Sequence, residues 1–184
     1  MRKAFAILFC LVPVMAFAAP PKPTSLTSEE QLFQKLKQAD SAEAAHPIED
    51  QLNQMFRVSG SPSADLLMTR ATTALGAADQ KTALRLLTAV TKLAPHFAEA
   101  WHVRANLEAA GGHDGAALVS LQKTVALNPR QFTALAELAV MLEDYGDKAG
   151  ALKLYRRALA LDPQMPGAAR RVQALTKAVE GQDI

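Results

Sequence analysis

Four histidines are the side chains of this sequence whose chemistry best suits metal binding or proton transfer. They are His46, His96, His102 and His113. His96 and His102 lie six positions apart, and no His-Glu-x-x-His pattern or cysteine pair, the spacings typical of zinc sites, accompanies them. A metal site built from His102, His113 and Asp114 is therefore retained only as an alternative.

Other signatures of catalysis are missing from the sequence. It contains no Gly-x-Ser-x-Gly motif, no Walker-type phosphate loop and no dinucleotide-binding fingerprint. The pair Gly111-Gly112 is typical of a turn that ends a helix. We therefore predict that the protein is not an enzyme and uses no cofactor, and an enzyme or metal carrier is the last of the alternatives.

The first 18 residues have the composition of a secretory signal. Arg2 and Lys3 are followed by an apolar run, Ala4–Val14, and by an Ala-Phe-Ala sequence that ends at Ala18. Residues 1–18 are therefore predicted to be a signal peptide that is cut before Ala19. The apolar run is shorter than the roughly 20 residues that cross a bilayer, so we expect a periplasmic protein with no membrane insertion after cleavage, rather than a membrane-anchored one.

Removal of the signal changes the composition in two ways. Cys10 is the only cysteine, so the mature chain has no disulfide and depends on its own core. Loss of two of the 20 basic residues leaves 18, equal to the number of acidic residues. A balanced chain without a basic block is not expected to bind nucleic acid, because that affinity comes mainly from cations that neutralise phosphates.

The elements that carry these residues are predicted from a period of 34 positions. Pro95, Pro129 and Pro163 follow this period without an insertion. Six further columns of apolar or small residues share it, beginning at Leu67, Ala71, Ala83, Leu84, Leu87 and Leu93. A fixed period in this range indicates a repeat protein, in which each unit buries its apolar face against a neighbour.

Each copy resembles a tetratricopeptide repeat (TPR). The family has a large residue at repeat position 4, small residues at 8 and 20, an aromatic residue or leucine at 24 and proline at 32, and the three segments 64–97, 98–131 and 132–165 satisfy this pattern. The chain is also similar to short exported bacterial proteins of undefined activity, in which "SGS" (Ser59–Ser61) leads into "ADLLM" (Ala64–Met68). The resemblance implies an all-α TPR solenoid of three helix-turn-helix repeats.

Helices are also predicted on both sides of the repeats. Thr27–Glu30 has the spacing of a capping box, and apolar residues after it predict an amino-terminal helical hairpin over 28–58. We expect this hairpin to cover the open end of the first repeat. A carboxy-terminal capping helix is predicted over 166–181, and residues 19–27 are predicted to be a proline-rich tether.

In the TPR family the first helix of each repeat lines a concave groove that binds partner proteins. Carried over position by position, the partner-binding groove would include Met68, Thr72, Glu99, His102, Asn106, Thr133, Glu137 and Val140. One family subset holds a peptide carboxylate there with lysines, an arginine and asparagines, and this sequence lacks that set. Asn106 is predicted to hydrogen-bond a partner's backbone, and His102, beside Glu99, to become charged near pH 6.

Arg70 and Arg104 occupy repeat position 7, where the family has a leucine packed between the two helices. Leu138 fills this position in the third copy. One interpretation is a buried ion pair, since Glu108 lies four residues after Arg104. The other interpretation is an anion site formed by the two arginines.

Taken together, these patterns predict a non-catalytic module that binds a protein or peptide partner in the groove. The alternative is a structural subunit of an envelope assembly that uses the convex face or the terminal helix.

Overall fold

The computed structural model describes residues 26–181, which form nine α-helices and no strand. The predicted signal peptide and residues 19–25 of the predicted tether lie outside the described residues. The helices are α1 (Ser28–Gln38), α2 (Ala42–Phe56), α3 (Pro62–Gly76), α4 (Gln80–Leu93), α5 (Ala98–Ala110), α6 (Asp114–Leu127), α7 (Phe132–Asp144), α8 (Lys148–Leu161) and α9 (Ala168–Glu180).

The three repeats are the antiparallel pairs α3–α4, α5–α6 and α7–α8. The first pair packs on the second, and the second on the third. Small residues make the close packing possible. The alanines of the predicted columns are buried, as shown by Ala71, Ala83, Ala117, Ala139 and Ala151, which have no exposed surface. Because a methyl side chain lets two backbones approach closely, larger residues at these positions would separate the helices.

The turns inside the repeats follow a common geometry. Asp79 and Asp147 cap α4 and α8, accepting hydrogen bonds from the backbone N–H of Thr82 at 3.0 Å and of Gly150 at 2.8 Å. His113 is the equivalent residue before α6, and its side chain makes no capping bond. Aspartate is favoured at this position, because its carboxylate accepts hydrogen bonds from the free amides of the first helical turn.

One turn position has a left-handed backbone in all three repeats. Glycine occupies it twice, as Gly112 (φ 71°) and Gly146 (φ 85°), whereas the first repeat has Ala78 (φ 58°). An alanine side chain is strained in this conformation, because its Cβ approaches the following carbonyl oxygen.

The amino-terminal hairpin, α1–α2, begins with the predicted capping box: the Thr27 N–H donates to Glu30 Oε2 at 2.8 Å, and the Glu30 N–H donates to Thr27 Oγ1 at 3.2 Å. The expectation that this hairpin covers the first repeat is wrong. Its apolar residues form a core with the third repeat, in which Phe33 meets Phe132 edge-on at 6.4 Å between ring centres.

Polar contacts hold the hairpin in the same place. Arg130 lies 4.0 Å above the Phe33 ring and pairs with Glu29 at 3.1 Å. Gln164 Nε2 donates to the carbonyl of Ala39 at 2.9 Å. The hairpin therefore packs across the start of α7 and the end of α8, which its sequence gives no sign of.

Helix α9 packs on α8 and covers the carboxy-terminal side of the third repeat. Leu175 and Thr176 are buried against the third repeat. The outer face is polar, and Arg156 Nη1 lies 2.9 Å from Glu180 Oε1. The predicted fold class, an all-α solenoid of three repeats with a helical hairpin and a capping helix, is confirmed.

Candidate groove site

The eight residues assigned to the groove lie on α3, α5 and α7, but their exposure differs widely. Thr72 and Asn106 are exposed, and Val140 is 43% exposed. Met68 is only 6% exposed, because it packs in the core between the first and second repeats. Met68 therefore supports the fold and is not a surface residue.

Four polar side chains form a largely buried network between α5 and α7. His102 Nε2 lies 2.7 Å from Glu137 Oε2, and His102 Nδ1 lies 3.4 Å from Glu99 Oε2. Gln131 is 1% exposed and donates from Nε2 to Glu99 Oε2 at 2.7 Å. Nε2 of the same amide also lies 2.9 Å from His102 Nδ1, so Gln131 contacts both the carboxylate and the ring.

The expectation that His102 becomes charged near pH 6 is wrong. Burial of the ring lowers its pKa, but hydrogen bonds to Glu137 and Glu99, reinforced by the two negative charges, outweigh this effect. Together they raise the pKa of His102 to about 9. The ring is therefore an imidazolium at neutral pH, held between two carboxylates.

The hairpin covers this network from the side of α2. Asn53 of α2 and Arg57, the residue after this helix, line a cavity of about 260 Å³. The other residues that line it are Glu99, His102, Val103 and Asn106 of α5 and Thr133 and Glu137 of α7. Three of the predicted groove residues are thus occupied in internal contacts beneath the hairpin. The side chains of His102 and Glu99 are largely buried, whereas that of Glu137 is 40% exposed.

A second part of the groove lies between the first and second repeats and shares Val103 and Asn106 with the cavity beside the hairpin. It contains an open cavity of about 430 Å³ lined by Leu75, Ala78, Gln80, Val103, Asn106, Leu107 and Ala110. Asn106 is its exposed amide, and one edge of that amide is 3.5 Å from His102 Nε2. The cavity wall is otherwise mainly apolar, which suits a side chain of a bound segment.

At the other end of the groove, Val140 lies near the capping helix. It lines a cavity of about 420 Å³ together with Ala136, Tyr155, Met165 and Arg170. Thr133 lies under the hairpin, beside Asn53 and Arg57. Five of the eight predicted groove residues therefore line one cavity with the hairpin residues, namely Glu99, His102, Asn106, Thr133 and Glu137. Met68, Thr72 and Val140 do not line it.

The two position-7 arginines have different surroundings. Arg104 Nε is 2.7 Å from Glu108 Oε1, and Ser120 donates to the other carboxylate oxygen at 2.7 Å. Glu108 is 4% exposed, and the Arg104 guanidinium also lies 5.5 Å from the Trp101 ring centre. Arg70 is exposed. Arg104 thus has the ion pair that the spacing suggested, and the two arginines do not share an environment.

Two further findings concern the described part of the chain. Within residues 26–181, no three histidine, cysteine, aspartate or glutamate side chains are grouped so that they could hold a metal ion. His102 is buried, whereas His113 and Asp114 are exposed at the start of α6. None of the described helices combines the length and the apolar character needed to span a membrane.

Known proteins share this architecture. The chain is 29% identical over 152 residues to a TPR repeat-containing protein of Rhizobium etli, covering 83% of this chain and 74% of that protein. A solved structure of similar fold is the first TPR of Spaghetti, bound to an HSP90 peptide. The match covers 64% of this chain and 93% of the Spaghetti chain, with a TM-score of 0.57 and 19% identity. No family model matches the chain.

The chain has the tetratricopeptide-repeat fold. The resemblance stated from its sequence is confirmed. A further TPR-like neighbour is the Yersinia enterocolitica type III secretion chaperone SycD in complex with a peptide of the translocator YopD. The match covers 66% of this chain and 97% of the SycD chain, with a TM-score of 0.56 and 15% identity.

Sequence reasoning missed Gln131, Asn53 and Arg57. Gln131 lies in the loop before α7, outside the family's groove positions, and its burial was not foreseen. The two α2 residues reach the groove only because the hairpin packs on the third repeat. No local pattern around them marks that contact.

Proposed function

We propose that this TPR protein is a non-catalytic interaction module that binds a segment of a partner protein in the open part of its groove, between the first and second repeats. The observation that carries this proposal is the open cavity beside exposed Asn106. Two solved proteins of similar fold hold peptides, which supports a peptide-like partner.

The chemistry of the cavity suits an extended segment. Val103, Leu107 and Ala110 supply apolar contact for a side chain. The Asn106 amide can donate to a backbone carbonyl and accept from a backbone N–H. On the neighbouring helix α3, Thr72 is exposed, although its hydroxyl already donates to the carbonyl of Thr69 at 2.9 Å.

The site of action is also a proposal. The signal-like segment over 1–18 supports export to the periplasm, where the mature chain would meet its partner. Sequencing of the mature amino terminus tests this: a start at Ala19 agrees with export, and intact Met1 contradicts it.

The binding proposal is tested with a photo-reactive side chain placed at position 106. The control places the same side chain at position 123, on the exposed face of α6. We expect a partner to be cross-linked in cells from position 106 and not from position 123. Asn106→Ala should then weaken the measured affinity by about 1–3 kcal/mol, because a desolvated amide loses its hydrogen bonds. Lys123→Ala is the matched control and should bind as wild type.

The opposite cross-linking pattern refutes partner binding in the groove. If the partner is captured from position 123 and Asn106→Ala binds normally, the surface on the second helices is the site. The protein would then be the structural subunit that the sequence leaves as the alternative.

A further inference from the structure

A cavity between the third repeat and helix α9 lies apart from the proposed partner site. It has a volume of about 420 Å³. Ala136 and Val140 of α7 and Met165 give it an apolar wall, and Arg170 and Arg171 of α9 line it as well. Ligand pockets commonly combine an apolar lining with a few polar groups that fix the orientation of the ligand. The two arginines favour a ligand with a negative charge.

The buried side chain of Tyr155 adds a hydrogen-bond donor to this cavity. Tyr155 lines the cavity and is 3% exposed, and its hydroxyl makes no hydrogen bond with any residue of 26–181. Buried polar groups nearly always have a hydrogen-bond partner. Burial, reinforced by the negative charge of Glu143, raises the pKa of Tyr155, so the hydroxyl keeps its proton at neutral pH. Arg171, which also lines the cavity, is among the charges that act on this hydroxyl, which is suited to donate to a ligand oxygen.

The start of α9 supplies further donors. Its N-cap residue is Gly167, which has no side chain to cap the helix, and its first turn contains no acidic residue. The first helical backbone bond is donated by the Arg171 N–H to the carbonyl of Gly167 at 3.1 Å. The N–H groups of Ala169 and Arg170, which precede it, have no acceptor within the described residues. Free N–H groups at the positive end of a helix dipole attract anions.

The charged groups around the cavity differ in whether they are paired. Arg171 Nη1 lies 3.3 Å from Glu143 Oε1, so the charge of this arginine is largely balanced. Glu143 and Asp144 are the acidic groups that act on Tyr155, and neither of them lines the cavity. Arg170 is exposed and forms no ion pair within residues 26–181. It is therefore the cation available to a ligand, and a bound anion would offset the repulsion between this cation and the positive end of the helix.

We propose that this cavity is a binding site for a small organic acid, that is, a carboxylate joined to an apolar group. The carboxylate accepts hydrogen bonds from the Tyr155 hydroxyl and from the start of α9, and it pairs with Arg170. The apolar group lies against the wall formed by Ala136, Val140 and Met165. The site does not depend on the proposed partner groove, which lies between the first and second repeats.

Nuclear magnetic resonance of the isotope-labelled protein tests the site with phenylacetate, at neutral pH and constant ionic strength. We expect saturable shifts of the backbone amide signals of residues 167–171. Phenylacetamide has nearly the same shape without the charge, and acetate has the charge without the ring. Each should bind at least about tenfold more weakly than phenylacetate, because one lacks the charge-assisted hydrogen bonds and the other lacks the apolar contact.

Two variants remove one ligand contact each. Arg170→Gln should weaken phenylacetate binding several-fold, because it removes the unpaired cation. Tyr155→Phe keeps the ring and removes the hydroxyl, so it should also weaken binding several-fold. It should leave the thermal stability of the free protein unchanged, since that hydroxyl has no hydrogen-bond partner among the described residues. The matched control is Arg157→Gln, which removes an exposed arginine of α8 that does not line the cavity and should bind phenylacetate like wild type.

Four results would each overturn the proposal. One is the absence of saturable shifts at residues 167–171. Another is equal affinity for phenylacetate and phenylacetamide, which makes the cavity a purely apolar pocket. The third is wild-type affinity in Arg170→Gln or in Tyr155→Phe. The last is binding of N-acetylphenylalanine without binding of phenylacetate, which assigns the cavity to the end of a protein chain. These measurements use no partner protein, so failure of the proposed groove binding leaves them unchanged.

Discussion

Replacing His102 by glutamine should remove a pH-dependent part of the protein's stability. In the wild type, the imidazolium is held by Glu137 and Glu99, and it is 9% exposed. Its pKa is raised from 6.5 to about 9. Since each pKa unit corresponds to 1.36 kcal/mol, the network contributes about 3 kcal/mol to the free energy of unfolding.

The sign follows from which state binds the proton more tightly. The folded protein does, so the contribution is fully present below pH 6.5 and is lost as pH rises through about 9. A glutamine carries no charge at any pH. We therefore expect His102→Gln to be less stable than wild type by about 3 kcal/mol near pH 6.5, and the difference to shrink towards zero above pH 9.

Urea unfolding followed by circular dichroism, repeated from pH 6.5 to pH 10, measures this difference. The matched control is His113→Gln, because His113 is exposed and makes no side-chain capping bond. Its stability should differ little from wild type at every pH. If the free energy of unfolding differs between His102→Gln and wild type by the same amount at every pH, the charged network is refuted.

Three further stability predictions concern the repeats and are checked by the same unfolding measurement. Ala117→Leu should lower the free energy of unfolding by about 1–3 kcal/mol, because it forces a larger side chain between packed helices, whereas Gln122→Leu on the exposed face should have little effect. His113→Asp should raise it by about 1 kcal/mol, since it gives α6 the cap that α4 and α8 have; an unchanged value contradicts this. Gly146→Ala should lower the free energy of unfolding by about 1 kcal/mol, because the backbone at this position is left-handed. Ala78→Gly should not lower the free energy of unfolding, because glycine relieves the strain of the same conformation. A less stable Ala78→Gly variant would contradict this explanation.

The repeats could be predicted from the sequence because their contacts are local and occur three times. Pro95, Pro129 and Pro163 mark the unit boundaries, and each helix pair packs mainly on its partner and on the next pair. A contact that recurs at a fixed spacing leaves a period in the residue types. The capping aspartates, Asp79 and Asp147, were predictable for the same reason, since a cap depends only on residues two or three positions away.

The charge state of His102 and the accessibility of the groove were decided by tertiary structure. Glu137 and Gln131 approach His102 only when α7 stacks on α5, so the sequence around His102 predicted an ordinary histidine. Its local neighbour Glu99, three residues earlier, is one of two carboxylates that raise its pKa. Spacing assigned residues to a helix face and gave no measure of their burial.

The placement of the hairpin depends most on tertiary structure. Phe33 packs on Phe132, and Gln164 donates to the carbonyl of Ala39, between parts of the chain that lie far apart in sequence. Each of these contacts occurs once, so no period records it. The amphipathic pattern of 28–58 shows that the hairpin must bury an apolar face, but many faces of the solenoid could satisfy that need. Shape and charge complementarity, with Arg130 between Glu29 and Phe33, select the third repeat.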